Sequence, residues 1–425
     1  MIILSYFLTY VRCSKHCRLP VRVSCVGAVM GWIYPMDRQD YPPVTLAVKA
    51  YRQERTVAAA IESVFAQTYP NLEIILSDDC SPDGTYAVMQ QMADSYRGPH
   101  RVRLNRNAKN LGIVGHENRL WAMASGQLIG HCAGDDISLP DRIEKQVAAW
   151  AAGGGDILAV HTAMWLAGAD GEDLGLGRPC PASVLSPSLQ GLVLSHGTGI
   201  GATALYDRRL FDIFGPIDEA AGIEDRPLFL RAAMAGRIAY LDEPLLVYCV
   251  DGASGRRQSR NWGREYLYGA RMRVMSWFAE TDRLFLEDAA FAGYPVPEKL
   301  RRHCEQYIAA TAPERALWKA SPARRIAMLP RSLWAAARQR QPRQASSALK
   351  YALGPVYTTY YDWRHGAKWA SVVDAGGEAT VRRFKWADAD VSVADIMGKG
   401  EAPSRTSPPQ IADGQFPPDM VWSGL

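Results

Sequence analysis

Three pairs of adjacent acidic residues carry most of the chemistry this sequence can do: Asp78-Asp79, Asp135-Asp136 and Glu224-Asp225. The middle pair closes the run Leu128-Ile129-Gly130-His131-Cys132-Ala133, which reads as a buried strand, and Pro140 follows shortly after. Two carboxylates at the end of a core strand are costly to desolvate unless a cation or hydrogen-bond donors meet them. A divalent metal or a ribose hydroxyl is the natural partner, and an aspartate helix cap ahead of Pro140 is the competing reading. Asp78 also ends an apolar run, where a carboxylate can accept hydrogen bonds from a ligand N–H. Glu224-Asp225 opens a helical pattern in which Leu228, Ala232 and Ala235 share a face. Acids there suit either the helix macrodipole or a general base.

These carboxylates need a scaffold, and the hydrophobic pattern supplies one. Residues 44–48 and 72–76, and a run near 102–104, read as strands. Between them lie helical patterns: Thr56 is the expected cap of a helix whose face is Val57, Ile61, Val64 and Phe65, and Val88, Met92 and Tyr96 mark the next face. A third helix, through Asn118, Leu120 and Ala124, returns the chain to the strand that carries Asp135-Asp136. Strands alternating with helices predict an α/β, mostly parallel sheet whose ligand crevice lies at the carboxyl ends of the strands. Tyr51, Asp78, Asp79, Asn110, Asp135 and Asp136 fall at that edge. No glycine-rich dinucleotide cradle follows the first strand, where Lys49-Ala50-Tyr51-Arg52-Gln53 stands, and no P-loop occurs. An acidic edge without such a cradle must hold a diphosphate through a metal.

The chain has 425 residues, 48% of them hydrophobic, and a net charge of only +4. The basic character is local: residues 256–345 hold 18 Lys/Arg against 8 Asp/Glu, which leaves the remainder net acidic. The eight cysteines include no C-x-x-C pair, so reduced thiols and a cytoplasmic setting are expected. Two apolar patches in residues 1–40 are interrupted by Arg12, Lys15, Arg18 and Arg22, and neither approaches the ~20 apolar residues of a spanning helix. The expected organisation is a poorly ordered extension over 1–40, an α/β domain over 41–255, a helical basic region over 256–350 and a largely disordered tail over 351–425, apart from 380–386. In the basic region Ile326, Leu329, Leu333 and Trp334 form an apolar stripe beside Arg324, Arg325, Arg331 and Arg338, interrupted by Pro330. It suits an anionic membrane surface or packing on the α/β domain equally well.

Four blocks together resemble family 2 glycosyltransferases of the GT-A fold, over about half the chain: residues 44–67 with their Ala66-Gln67-Thr68-Tyr69 ending; Ser77-Asp78-Asp79-Cys80-Ser81-Pro82-Asp83; Ala133-Gly134-Asp135-Asp136 through Pro140 and Gln146; and Glu224-Asp225 through Arg231 and Gly236. The resemblance implies a GT-A, nucleotide-binding sheet flanked by helices with a helical C-terminal extension. It also implies an inverting transfer of sugar from a nucleotide-diphosphate donor to a sugar or lipid-linked acceptor, in polysaccharide or cell-surface glycan synthesis, with Mg²⁺ or Mn²⁺. By matching position, Tyr51, Glu54, Asp78 and Asn110 would bind the donor, Tyr51 and Asp78 at the base. Asp135 and Asp136 would serve ribose, metal and diphosphate, and Asp225 would be the catalytic base. Three departures stand out: Lys49-Ala50-Tyr51-Arg52 replaces the usual Pro-Thr-Tyr-Asn, Ala133 replaces the first acid of the D-x-D-D motif, and Cys80 stands where glycine is common. The loop Ser195-His196-Gly197-Thr198-Gly199-Ile200-Gly201-Ala202 reads as a flexible segment facing the sugar, with His196 either a ligand contact or an unspecialised loop residue. Two rivals are a sugar-phosphate nucleotidylyltransferase, which should show a basic glycine-rich loop, and an inactive nucleotide-sugar-binding module, which need not keep Asp78, Asp136 and Asp225 together. Nucleic acid is not an expected partner. The expected location is cytoplasmic, with peripheral contact at the inner face of a membrane as an option.

Overall fold

The computed structural model describes residues 41–168, 173–177, 188–249 and 264–338. The expected extension over 1–40, the tail from 351 with its segment 380–386, and most of the turn at 168–171 lie outside the described residues. Strands β1 (Val44–Ala50), β2 (Leu72–Asp78) and β4 (Leu128–Ala133) are almost wholly buried, as parallel strands covered on both faces must be. With β3 (Arg101–Arg106) they form the parallel part of the sheet, in the order β3-β2-β1-β4. Strands β1, β2 and β3 each run two residues past the apolar run, so their ends carry polar residues, whereas β4 ends with its run at Ala133 and the acids follow it. The sheet continues through β8 (Leu205–Asp207), β6 (Ile157–Ala167), β9 (Arg237–Cys249) and β5 (Ile137–Ser138), while β7 (Asp173–Gly177) pairs with β6. In this second half antiparallel pairs join β4 to β8, β8 to β6 and β5 to β9, whereas β6 and β9 run parallel.

Helices α1 (Val57–Phe65), α2 (Thr85–Ser95) and α4 (Arg142–Ala152) cover one face. Their Val57, Ile61, Val64, Met89, Ile143 and Val147 pack against Leu46, Val48, Ile74 and Leu76 of the sheet. The α2 face centres on fully buried Met89 rather than on Tyr96. Thr56 does precede α1 but makes no side-chain cap bond; its Oγ1 lies 3.4 Å from the Gln53 carbonyl instead. The other face is covered by α3 (Gly112–Met123), the short helices α5 (Leu189–Ser195) and α6 (Arg209–Phe214), and α7 (Asp225–Ala235). Ala235, expected on the buried face of α7, is exposed.

Several motif residues hold elements together. Gln67 Nε2 donates to the Leu139 carbonyl at 2.7 Å and its Oε1 accepts from Ile143 N, joining the end of α1 to the start of α4. Gln146 Nε2 reaches the carbonyls of Val160 and Thr203, and Arg142 those of His131 and Ala204. Such buried polar groups specify one arrangement because each is costly if unpaired.

Residues 264–338 are mostly helical, with α8 (Arg264–Phe291), α9 (Glu298–Lys319) and α10 (Pro322–Arg338). It shares the core of the sheet domain, since Leu284, Phe285, Ala289, Leu300 and Cys304 belong to the same buried cluster as Leu228 and Phe229 of α7. Fully buried Arg226 pairs with Asp282 at 2.7 Å, and Arg231 makes a bidentate pair with Asp288. Helix α10 continues through Pro330 rather than stopping there. Ile326, four residues earlier, is 59% exposed, so water can satisfy the carbonyl that Pro330 cannot bond.

Candidate active site

The sheet register decides which strand ends meet. Lys49 of β1 lies opposite Ser77 of β2 and Ala133 of β4, and Ala50 lies opposite Asp78. Neighbouring strands are about 4.8 Å apart, so the residues that follow β2 and β4 flank the end of β1. Asp78 is fully buried; its Oδ2 accepts from Ser81 N at 3.0 Å and lies 3.3 Å from Arg106 Nε, while its Oδ1 has no hydrogen-bond partner. Asp79 is satisfied instead, accepting from Asn107 Nδ2, Leu111 N and Gly112 N, and so it fixes the loop after β3. Tyr51 is 36% exposed just past β1, with the Arg52 guanidinium 5.4 Å from its ring centre. Glu54 accepts from Gly84 N at 3.0 Å, and Asn110 donates to the Asp79 carbonyl at 3.2 Å. Both therefore shape loops at the strand edge. Cys80 has φ +59°, the left-handed region that favours glycine, which accounts for glycine being common at this position.

Asp135 and Asp136 follow β4 on a turn wedged against the β1 end. A side chain at Gly134 would come within 2.7 Å of Gln53 Oε1 and 2.8 Å of Ala50 Cβ, so the close approach requires glycine. Asp136 is buried; Cys249 N, at the end of β9, donates to its Oδ1 at 3.0 Å, and its Oδ2 has no hydrogen-bond partner. Asp135 is half-buried, the more accessible of the two. Burial, and then the Asp135 charge, push Asp136 well above the usual carboxylate range. An orphaned buried carboxylate oxygen beside a second, accessible carboxylate fits a divalent cation, whose charge would reverse that shift. Among the described residues no cluster of three or more His, Cys, Asp or Glu offers a full ligand set, so a cation here would take its remaining ligands from donor and water oxygens.

The third acidic pair joins the others through Lys49. Side chains alternate along β1, which puts Lys49 on the α3 side with Thr45 and Ala47. Its Nζ lies 2.7 Å from Glu117 Oε2 of α3 and 2.7 Å from Glu224 Oε1 at the start of α7. Glu117 is fully buried, accepts from Trp121 Nε1 at 2.7 Å and lies 3.0 Å from His131 Nε2 of β4. Burial alone would raise Glu117, but the charges of His131 and Lys49 hold it well below the usual range. Asp225 is packed against Gly201, where an added Cβ would lie 2.1 Å from Asp225 Oδ1. Burial first, then Glu224, push Asp225 well above the usual carboxylate range, while Lys49 and the Gly201 N–H act against them.

The strand ends thus gather Tyr51, Asp78, Asp135 and Asp136, and the Lys49 bridge attaches the helix that begins with Asp225. His196 sits elsewhere: its Nε2 is 3.2 Å from Asp282 Oδ2 and its ring packs on Phe278 and Tyr307, so it ties the loop to α8 and α9. Sequence reasoning passed over Lys49, Glu117 and Gly201. The signal for Lys49 was a charge set inside an otherwise apolar strand, and for Gly201 the alternation Gly197-Thr198-Gly199-Ile200-Gly201.

The family follows from comparison with known proteins. The model of the glycosyl transferase family 2 matches residues 45–171. EpsE of Bacillus subtilis (strain 168), a glycosyltransferase by name, is 32% identical over 225 residues, covering 51% of this chain and 77% of that one. The Escherichia coli UDP-Glc:alpha-D-GlcNAc-diphosphoundecaprenol beta-1,3-glucosyltransferase WfgD is 33% identical over 105 residues, 25% of this chain and 40% of its own length. Among solved structures, the mannosyltransferase PcManGT from Pyrobaculum calidifontis in complex with GDP-Man and Mn²⁺ is similar at a TM-score of 0.44 and 18% identity, over 77% of this chain and 92% of that one. A likeness that low does not bear on the site. The four sequence blocks, the α/β sheet of the GT-A class and the relationship to EpsE lead to one conclusion: this chain belongs to the family 2 glycosyltransferases.

Proposed function

We propose that this protein transfers a sugar from a nucleoside diphosphate donor to a hydroxyl acceptor, with inversion, in a single displacement. The observation that supports this most is Asp225, a half-buried carboxylate at a helix start, linked through Glu224 and Lys49 to the strand edge that carries Asp78, Asp135 and Asp136. Asp78 would hold the base, its free Oδ1 accepting from a uracil or guanine N–H, with Tyr51 beside it. Asp135 and Asp136 are the residues that would hold a Mg²⁺ or Mn²⁺ ion, which when bound stabilises the charge of the departing diphosphate. Asp225 would take the proton of the acceptor hydroxyl as that oxygen attacks the anomeric carbon. Its raised proton affinity suits a base that must work near neutral pH.

The relative WfgD, by its name, uses UDP-glucose and a diphosphoundecaprenol-linked acceptor, which supports a nucleotide sugar and a lipid-linked acceptor here, in surface glycan synthesis. Among the described residues no helix is long and apolar enough to cross a membrane. Helix α10 is the surface suited to peripheral contact, since it carries four arginines and no acid, with Ile326 and Trp334 59% and 63% exposed.

The purified chain should release nucleoside diphosphate from at least one of UDP-glucose, UDP-N-acetylglucosamine and GDP-mannose, and excess chelator should abolish that release. Asp225→Asn should lower kcat by roughly 10²- to 10⁴-fold while donor affinity stays within about threefold. Full turnover in chelator would remove the metal from this scheme, and an Asp225→Asn variant as fast as the parent would remove Asp225.

A further inference from the structure

Two acids stand side by side at the start of α7, and the structure treats them differently. Glu224 occupies the N-cap position yet makes no capping bond to its own helix. Its Oε1 is taken by Lys49 Nζ at 2.7 Å, and the same ammonium holds Glu117 Oε2 at 2.7 Å. Glu117 cannot move to follow a substrate, because it is fully buried and further held by Trp121 Nε1. Asp225 is placed against the Gly201 backbone instead. Lys49 stands in β1, at the point where its strand meets both neighbours in register, so the bridge also fixes α7 against the strand edge.

We propose that Lys49 is a positioning residue for sugar transfer: by bridging Glu117 and Glu224 it draws the Glu224 carboxylate aside and leaves Asp225, of the two acids, to take the acceptor proton. This rests on the catalytic reading of Asp225 given above. The groups that face Asp225 are Glu224 on its own helix, Lys49 of β1, Glu117 of α3 and Tyr206 of β8, whose buried phenol stays neutral because burial raises it far above the ordinary value. The cation favours ionised Asp225 and the two glutamates oppose it. Deleting one charge at a time must therefore move the titration of Asp225 in opposite directions, which a purely structural clamp would not do.

The test is the pH profile of nucleoside diphosphate release, with whichever of UDP-glucose, UDP-N-acetylglucosamine and GDP-mannose the parent turns over. Lys49→Met should move the acid limb to higher pH by about 1, Glu224→Gln should move it to lower pH while the plateau falls less than tenfold, and Lys49→Arg should restore the parental limb. A readout without turnover runs in parallel. Asp225 has a raised proton affinity in the folded state, so the stability it contributes is present at low pH and lost as pH rises through its folded pKa. The melting temperature of the parent should accordingly fall relative to Asp225→Asn over that interval, and the interval should shift with the same signs in the Lys49 and Glu224 variants. If Lys49→Met does not fold, because it strands Glu117, the Glu224→Gln limb decides. A limb that stays in place in the folded variants, or a Glu224→Gln plateau that drops 10²-fold or more, overturns the proposal. An Asp225→Asn variant that works at the parental rate overturns the catalytic reading itself, a separate failure.

Discussion

At the scale of single residues, the site is marked by carboxylate oxygens that the protein itself leaves unbonded. Asp78 and Asp79 are adjacent and both buried, yet Asp79 accepts three hydrogen bonds from the loop after β3, whereas Asp78 Oδ1 accepts none. A buried acceptor without a partner is costly, and it persists where a ligand completes it. Asp78→Ala should therefore weaken UDP or GDP binding by about 1 to 3 kcal/mol, the range for an unmet partner, as read by titration calorimetry. Unchanged affinity for both nucleotides would reduce Asp78 to a turn residue that bonds Ser81 N. The sequence made Asp78 visible because it ends an apolar run. The division of labour with Asp79 was not visible, because it depends on which way each side chain leaves the strand and on a loop some 30 residues further along.

At the scale of elements, strand alternation and helix faces explain both what was foreseen and what was not. On α10 the expected stripe divides. Leu329 and Leu333 are half-buried, with Met328 and Ser332 on the same side, while Ile326, Pro330 and Trp334, spaced four apart, are exposed. Arg324, Arg331 and Arg338, spaced seven apart, are exposed as well, with Arg338 placed 5.3 Å from the Trp334 ring centre. A strip this narrow binds through charge more than through insertion. The protein should sediment with vesicles that contain about 30% anionic phosphatidylglycerol and not with phosphatidylcholine alone, an effect that weakens as salt is raised. Reversing Arg324, Arg331 and Arg338 to Glu should cut the bound fraction at least tenfold, at about 1 kcal/mol for each arginine. Equal sedimentation of the reversed variant would assign α10 to packing.

At the scale of the whole molecule, the sheet and the helices after it share one core, and the joints are charged. Arg226, next to Asp225, is fully buried and pairs with Asp282 of α8, which His196 also approaches. Burial works against ionised Asp282, but the His196 hydrogen bond and the Arg226 charge hold it below the usual carboxylate range. Removing one partner leaves the other charge buried alone, so Asp282→Ala should cost about 3 to 5 kcal/mol. It should also lower a single melting transition rather than split it in two, which calorimetry can decide. The sequence by itself determined the α/β class, the order of the first four strands with the helices between them, and the carboxylates at strand ends, because apolar runs and their polar ends are local patterns that burial in a covered sheet dictates. It also marked Glu224-Asp225 by position. Only the tertiary structure decided that Lys49 meets Glu224, 175 residues away, that Gly201 lies under Asp225, and that helices α8 and α9 complete the core of the sheet domain. Those contacts arise when separate chain reversals bring side chains to one strand edge, and no periodicity within a segment encodes which reversal meets which.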